Sequence, residues 1–272
     1  MTGKREKQVI WTGPQGKINW LKNDELLRIL KHEILRETYD RKSLKETHIL
    51  FEKALQHLRK LYRTYNLIST YHSFSHNYVT AITAMKGFVG ALKLGKKLTI
   101  FDLKVLIIVA LFHDTGYLRK SKYQEKTDVV SHSKKSSEFS KRFLESIDWN
   151  NNQIRQALEL HKFTDYSKWK QNEDKIYENV LAQLLVGADF MQVVDYNYYK
   201  NLKVLNEFLY ERDGKVSKVG QQKFYHLVCR ITLWVWSYLD SFFKGIRKNP
   251  YRAGWKKYRK DFEDAFGLPK FV

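Results

Sequence analysis

The sequence has few residues that interrupt helices. Proline occurs only 3 times and glycine 13 times in 272 residues. Few helix breakers, among many Leu, Lys, Glu and Ala residues, favour helices over a β fold with many turns. Apolar residues make up 43% of the chain, which is enough to form a core. We therefore predict an all-α fold.

Cysteine and long apolar runs are also scarce. Cys229 is the single cysteine, so an internal disulfide is excluded and a reducing compartment, the cytoplasm, is expected. Residues 1–22 are polar and lack the apolar region of a secretory signal. The most apolar stretches are 103–112, which is too short to span a bilayer, and 227–243, which Arg230 and Asp240 interrupt. We expect no transmembrane helix.

Basic residues outnumber acidic ones, and the formal net charge is +20. A field of this size attracts anionic partners such as nucleotides or nucleic acid. The charge is enriched at residues 244–260, where Tyr251, Trp255 and Tyr258 stand among the basic residues. Such a mixture is found in proteins that bind single strands. We favour a solvated helix face with inward-packed aromatic residues, and keep nucleic-acid binding as an alternative.

Helical periodicity dominates the chain. It predicts helices over 23–36, 43–65, 75–94, 99–113, 131–147, 152–161, 177–195, 202–212, 221–243 and 252–266. The second of these carries an apolar stripe of Leu44, Ile49, Phe51, Leu55, Leu58 and Leu61, and Gly95 is expected to end the third. We predict an N-terminal extension (1–44) with a helix, a central helical domain (45–215) and basic C-terminal helices packed on that domain (216–272).

The segment 106–116 is the most informative one. An apolar run ends abruptly in His113-Asp114, followed by Gly116. Burying an ionised carboxylate without a partner costs too much free energy, so Asp114 needs a cation or several hydrogen-bond donors. Imidazole and carboxylate together suit Zn, Mn or Fe. A metal site is therefore predicted here, and a helix-capping His-Asp pair is the alternative.

Three further positions fit the same site. Asp189 also lies in an apolar helix, next to Gly187 and Ala188, and two such carboxylates are best explained if they meet. His76 falls in the first turn of a predicted helix, as a rigid ligand. His72 precedes that helix and is either a catalytic group that reaches over the ligand or a surface histidine. His132 and His161, taken singly, are typical of half-buried structural histidines.

The ordered set His76, His113-Asp114 and Asp189 resembles the HD superfamily of metal-dependent phosphohydrolases. The segment Phe112-His113-Asp114-Thr115-Gly116 is a close match, and the resemblance extends roughly over 71–195. It implies an HD-domain helical bundle with additional N- and C-terminal helices. It also implies a divalent metal cofactor, one or two ions of Mn, Mg, Fe, Co, Ni or Zn.

Two narrower resemblances differ in the roles they imply. The segment 71–76 is similar to the opening motif of cyclic-nucleotide phosphodiesterases, which makes His72 the general acid, although Ser73 replaces the usual Asn. The order of histidines is similar to dinuclear HD proteins, in which His132 and His161 would bind a second ion and Asp114 would bridge the two. The Lys of the cyclic-di-GMP branch is replaced by Tyr117.

The expected activity is hydrolysis of a phosphoester, with a nucleotide or cyclic nucleotide as the small anionic substrate. Asp114 and His72 are the candidate catalytic residues. Arg119, Lys120 and Lys122 are candidates for neutralising the phosphate charge, with an ordinary basic loop as the alternative. Two further hypotheses remain open: a dinuclear iron oxygenase of the same fold, and a non-catalytic nucleic-acid binder that uses the basic C-terminal region.

Overall fold

The computed structural model of the protein describes residues 24–67, 72–119, 132–165 and 168–191. These ranges are dominated by α-helices, which confirms the predicted all-α class. The helices are α1 (Asp24–Leu30), α2 (Glu33–Thr38), α3 (Arg41–Thr64), α4 (Phe74–Lys93), α5 (Ile100–Phe112), α6 (His132–Glu145), α7 (Asn151–His161), α8 (Trp169–Glu178) and α9 (Val180–Met191).

The centre of the bundle is formed by α4 and α5, which pack against each other. Every residue of α5 from Val105 to Phe112 is buried, and α4 is buried over most of its surface. A helix that is apolar on all sides is stable only inside the protein. The other helices surround this pair: α3, α7 and α9 pack on α5, and α9 also packs on α4.

The helix α3 shows why a long amphipathic helix lies against the central pair. Its buried residues recur every three or four positions, which places them on one side of the helix. They are Leu44, Thr47, Leu50, Phe51, Ala54, Leu55, Leu58 and Leu61. The prediction for Ile49 is wrong, because this side chain is 45% exposed and lies off that stripe.

A short antiparallel pair fixes the chain next to the ends of α3 and α5. The strand β1 (Asn66–Leu67) pairs with β2 (Leu118–Arg119), with Asn66 opposite Arg119 and Leu67 opposite Leu118. Because β2 follows the 3-10 turn Thr115–Tyr117, the pairing ties the segment after His113-Asp114 to the end of α3. This pair is the sheet structure found among the described residues.

Some helix boundaries differ from prediction. The predicted helix 23–36 is two helices, because His32 caps α2 by accepting the Ile34 amide at its Nδ1, 3.3 Å away. The predicted helix 177–195 begins instead at Val180. Asn179 lies before it, and its side-chain oxygen accepts the Ala182 amide at 3.1 Å. The helix α8, just before this point, was not predicted.

The helices α1 and α2 belong to the same core as the later helices. Leu26 and Leu35 are fully buried, and both helices contact α4. The predicted C-terminal helices and Cys229 lie outside the described residues, so the predicted domain boundaries stay predictions. Among the residues described, no helix is both long and apolar enough to cross a membrane.

Candidate metal centre

Four buried side chains, from α4, from α9 and from the two residues that follow α5, meet at the centre of the bundle. They are His76, His113, Asp114 and Asp189, and one ligand atom of each lies within 4.8 Å of the others. We call these residues the four-ligand group. Sequence reasoning predicted each of them as a metal ligand, and the structure brings all four together.

Helix ends place these side chains. Ser73 caps α4 by accepting the His76 amide, which sets His76 in the first turn of that helix. The helix α5 begins at a capping box formed by Thr99 and Asp102. It ends at Phe112, so the His113-Asp114 pair stands at the helix terminus, where the backbone turns and both side chains face the interior.

The ligand atoms are close enough together to share one ion. His76 Nε2 lies 3.2 Å from His113 Nε2, 3.1 Å from Asp114 Oδ2 and 3.0 Å from Asp189 Oδ1. His113 Nε2 lies 3.1 Å from Asp114 Oδ2 and 3.5 Å from Asp189 Oδ1. Atoms bound to one small divalent ion at about 2.1 Å are separated by roughly 3.0–3.5 Å when they are adjacent ligands. The observed separations fit this requirement.

The charges in the four-ligand group are strongly coupled. Burial lowers the pKa of His113 and of His76, but the negative charges and hydrogen-bond acceptors of Asp114 and Asp189 outweigh it and raise both values. Burial raises the pKa of each aspartate, yet the neighbouring histidines hold both well below the usual range. Both carboxylates are therefore ionised at neutral pH. Two buried carboxylates and two imidazoles form a donor set compatible with a divalent cation.

A second interaction orients His113 for this role. Its Nδ1 lies 2.9 Å from the carbonyl oxygen of Ala110, one turn earlier. Since a carbonyl oxygen only accepts, Nδ1 carries the proton and donates it. The lone pair of a neutral His113 is then on Nε2, the atom that faces the four-ligand group. Such a hydrogen bond from the far nitrogen is typical of metal-binding histidines.

His72 lies beside the four-ligand group. Its Nε2 is 3.8 Å from Asp114 Oδ2, and its side chain is buried. Its backbone is held by Tyr62, whose hydroxyl donates to the His72 carbonyl oxygen at 2.9 Å. Burial lowers the pKa of His72 to about 3, against the opposing effect of the Asp114 charge. The imidazole is therefore neutral at neutral pH in this structure.

Sequence reasoning missed the residues that hold the backbone around the site. The Asn77 side-chain amide donates to the Leu111 carbonyl at 2.9 Å and to the Tyr62 hydroxyl at 3.3 Å. Through Tyr62, this connects the end of α5 with the backbone of His72. A signal was available for Asn77, because a polar residue beside His76 in an apolar helix requires buried partners. No local pattern indicated Tyr62.

The turn after Asp114 is tightly joined to the start of α6. The Gly116 amide donates to Ser136 Oγ at 2.8 Å. A Cβ atom at Gly116 would lie 1.9 Å from the carbonyl oxygen of His132, so only glycine fits at this contact. The helix α6 therefore packs directly on the segment that carries the His-Asp pair.

His132 and His161 are buried nearby but lie outside the four-ligand group. His132 stacks on the ring of Tyr117, with the centroids 4.6 Å apart. His161 Nε2 lies 2.7 Å from Ser140 Oγ, whereas its Nδ1 has no hydrogen-bond partner among the described residues. Burial, with the charges of His113 and His132, lowers the pKa of His161 to about 3. Their assignment to a second ion stays a prediction.

The predicted phosphate-binding residues follow the site in sequence. Arg119 is in β2, paired with Asn66, five residues after Asp114. Lys120 and Lys122 lie outside the described residues. The structure thus locates the backbone of Arg119 near the site, and the role of all three basic residues stays a prediction.

The fold and site define an all-α protein with a buried His-His-Asp-Asp group suited to a divalent metal. The HD domain family model matches residues 87–196, which is less than half of the chain. The match contains His113, Asp114 and Asp189 but begins after His76, and it supports an HD domain in this part of the chain. No curated protein and no solved structure matched the chain in the comparisons.

Proposed function

We propose that the protein is a metal-dependent phosphohydrolase that cleaves a phosphoester, with a nucleotide or cyclic nucleotide as substrate. The observation that carries the proposal is the four-ligand group, whose donor atoms all lie within 4.8 Å of one another in the interior. HD domains are in general metal-dependent hydrolases. The fold, the ligand set and the family match support the same class of activity.

The residues of the site have distinct tasks in this proposal. His76, His113, Asp114 and Asp189 would hold the ion. When bound, such an ion lowers the pKa of water and polarises a phosphoryl oxygen. Asp114 also contacts His72 across 3.8 Å, so it orients the candidate proton donor as well as binding the ion.

His72 is the proposed general acid, which gives a proton to the leaving oxygen. Because the pKa of His72 is low in this structure, the imidazole must gain its proton when the substrate is bound. The negative charge of a bound phosphoester near the ring stabilises the imidazolium form and so raises the pKa. Arg119, Lys120 and Lys122 are the proposed residues that neutralise the remaining phosphate charge.

An activity screen tests the proposal. Purified protein with Mn²⁺, Mg²⁺, Co²⁺ or Fe²⁺ is assayed against cyclic nucleotides, nucleoside mono- and triphosphates and dinucleotides. We expect hydrolysis of at least one class, and a fall of about 10³-fold or more in kcat/KM for Asp114→Ala. Glu145→Ala is the matched control, because Glu145 is an exposed carboxylate that pairs with Lys141 on the surface.

Two outcomes would contradict the proposal. Asp114→Ala that keeps the activity of the parent would show that the four-ligand group is not required. If kcat/KM falls equally in Glu145→Ala, the loss is a general effect of removing a carboxylate and not of the four-ligand group. The nucleic-acid hypothesis concerns residues outside the described ranges, and it predicts salt-sensitive binding that persists in Asp114→Ala.

The number of bound ions distinguishes a site for one ion from the dinuclear site of the second resemblance, which phosphohydrolases and diiron oxygenases share. The four ligand atoms surround one position, and His132 and His161 lie outside the group. We therefore expect one tightly bound equivalent of metal per chain. Metal analysis of protein purified with and without oxygen checks this. Two equivalents of iron, of which one is lost in His132→Ala and in His161→Ala, would support a dinuclear site, and such iron without hydrolysis of any phosphoester would support the oxygenase.

A further inference from the structure

The aromatic ring of Tyr117 lies between two histidines of the site. Its centroid is 3.8 Å from that of His72, with an interplanar angle of 21°. On the other side, the His132 centroid is 4.6 Å away at 16°. All three side chains are buried. The stack spans from the loop before α4 to the first residue of α6.

The backbone fixes where the Tyr117 ring stands. The Tyr117 amide donates to the Asp114 carbonyl oxygen at 3.0 Å, which closes the 3-10 turn directly after the His-Asp pair. Gly116 is bound to α6 through Ser136, and Leu118 pairs with Leu67 in the two-stranded sheet. The position of the ring is therefore set relative to Asp114.

The backbone and the ring of His72 are held by different groups. His72 precedes the first residue of α4, the Tyr62 hydroxyl donates to its carbonyl oxygen, and Asp114 Oδ2 lies 3.8 Å from its Nε2. The torsion that rotates an imidazole about its Cβ–Cγ bond has broad energy wells. A flat ring stacked at 3.8 Å restricts this rotation, and in the observed orientation Nε2 faces Asp114 Oδ2.

We propose that Tyr117 is a positioning residue, which holds the imidazole of His72 with Nε2 directed at the metal-binding side of the site. The consequence for catalysis rests on the proposed function, in which His72 gives a proton to the leaving group. The stacking itself does not depend on that function. The flat ring is the feature required, so phenylalanine preserves it and leucine, of similar bulk, removes it.

Nuclear magnetic resonance tests the orientation without any assay of activity. An aromatic ring stacked on an imidazole shifts the Cε1–H and Cδ2–H resonances of His72 upfield. We expect this shift in the parent and in Tyr117→Phe, and its loss in Tyr117→Leu. Metal-free protein is used for all three, with His72→Asn to assign the resonances. Resonances of His72 that are identical in Tyr117→Leu and the parent would overturn the proposal.

A pair of substrates that differ only in the leaving group tests the consequence. The probes are the p-nitrophenyl and phenyl esters of thymidine 5′-phosphate, with Mn²⁺. The p-nitrophenolate ion leaves readily without a proton, whereas the more basic phenolate depends on a general acid. We expect Tyr117→Leu to lower kcat about 10-fold or more on the phenyl ester and less than about 3-fold on the p-nitrophenyl ester.

Two controls separate positioning from structural damage. Tyr117→Phe should keep the ratio of the two rates within about two-fold of the parent's ratio. In a His72→Asn background, Tyr117→Leu should cause no further loss on the phenyl ester, because both changes remove the same contribution. Equal losses on both esters, or additive losses in the double variant, would overturn the proposal.

The two arms fail in different ways. If the parent hydrolyses neither ester and none of the wider panel, the proposed function fails, and the resonance shifts alone decide whether Tyr117 positions His72. If the parent is active but the resonances and the leaving-group ratio are unchanged in Tyr117→Leu, the proposed function stands and the positioning role is wrong.

Discussion

Asp114 Oδ2 lies 3.1 Å from both His76 Nε2 and His113 Nε2, and 3.8 Å from His72 Nε2. One carboxylate oxygen thus contacts two proposed ligands and the proposed general acid. This explains why a single substitution of Asp114 is expected to affect metal binding and proton donation together. It also explains why the carboxylate stays ionised although it is buried.

His161 gives a prediction about acid stability. Burial holds its pKa at about 3 in the folded protein, from 6.5 in the unfolded chain. Between pH 6.5 and pH 3 the unfolded state therefore binds a proton that the folded state does not bind. The contribution of neutral His161 to the free energy of unfolding is present in full above pH 6.5 and is lost as the pH falls towards 3. In metal-free protein, the free energy of unfolding should decrease as the pH decreases. His161→Asn should reduce the slope of this decrease by up to about 1.4 kcal/mol per pH unit.

Urea unfolding at pH 6.5, 5.5 and 4.5 measures this slope in the parent and in His161→Asn. The variant is expected to be less stable than the parent at pH 6.5, since Ser140 loses its partner. The difference between the free energies of unfolding of the parent and the variant should become smaller as the pH is lowered. A difference that is constant across the three pH values would contradict the assigned shift of the His161 pKa.

The sequence indicated two of the proposed ligands because each breaks a local rule. Asp114 directly follows an apolar helix and Asp189 lies within one, and a carboxylate in such a place needs a partner. The partners of Tyr117 could not be predicted in the same way. Its stack joins His72, before α4, to His132, at the start of α6, and helical periodicity relates only residues of one element.

The contact between the turn Thr115–Tyr117 and α6 has no room for a side chain at Gly116. The Cβ atom of an alanine at Gly116 would overlap the His132 carbonyl oxygen, so either α6 or the turn that carries Asp114 must move. Gly95, after α4, differs in kind: it has a φ of +75° and open space around it. An alanine there is strained in its backbone but displaces nothing.

We therefore predict different outcomes for two glycine substitutions. Gly116→Ala should cost about 1–3 kcal/mol or more of stability and also weaken Mn²⁺ binding, because the displaced turn includes Asp114. Gly95→Ala should cost roughly 1–2 kcal/mol and leave Mn²⁺ affinity unchanged. Chemical unfolding and Mn²⁺ titration measure the two effects. Weakened Mn²⁺ binding in Gly95→Ala alone would contradict this account.

Among the described residues the sequence predicted most helices well, because buried central helices and amphipathic outer helices have clear patterns. The helix 99–113 was predicted from its apolar run, and α5 begins at Ile100, one residue after its Thr99 cap. The errors fell where a polar side chain decides the boundary. His32 caps a new helix within the stretch 23–36, and Asn179 caps one within the stretch 177–195. Periodicity alone predicts each of these stretches as one continuous helix.

The four proposed ligands come from positions between 76 and 189, and three helices must pack correctly before these residues meet. The two carboxylates and two imidazoles therefore form a site only in the folded protein. An ion that binds this site stabilises the folded state by mass action. Folding and metal binding are consequently linked, and both depend on the packing of α4, α5 and α9.

The position of a bound ion can be measured by X-ray crystallography. Crystals grown or soaked with Mn²⁺ are measured at a wavelength where manganese scatters anomalously. The account predicts an anomalous peak within about 2.0–2.4 Å of His76 Nε2, His113 Nε2 and carboxylate oxygens of Asp114 and Asp189. A strong peak elsewhere in the protein, with none between these four side chains at saturating Mn²⁺, would contradict it.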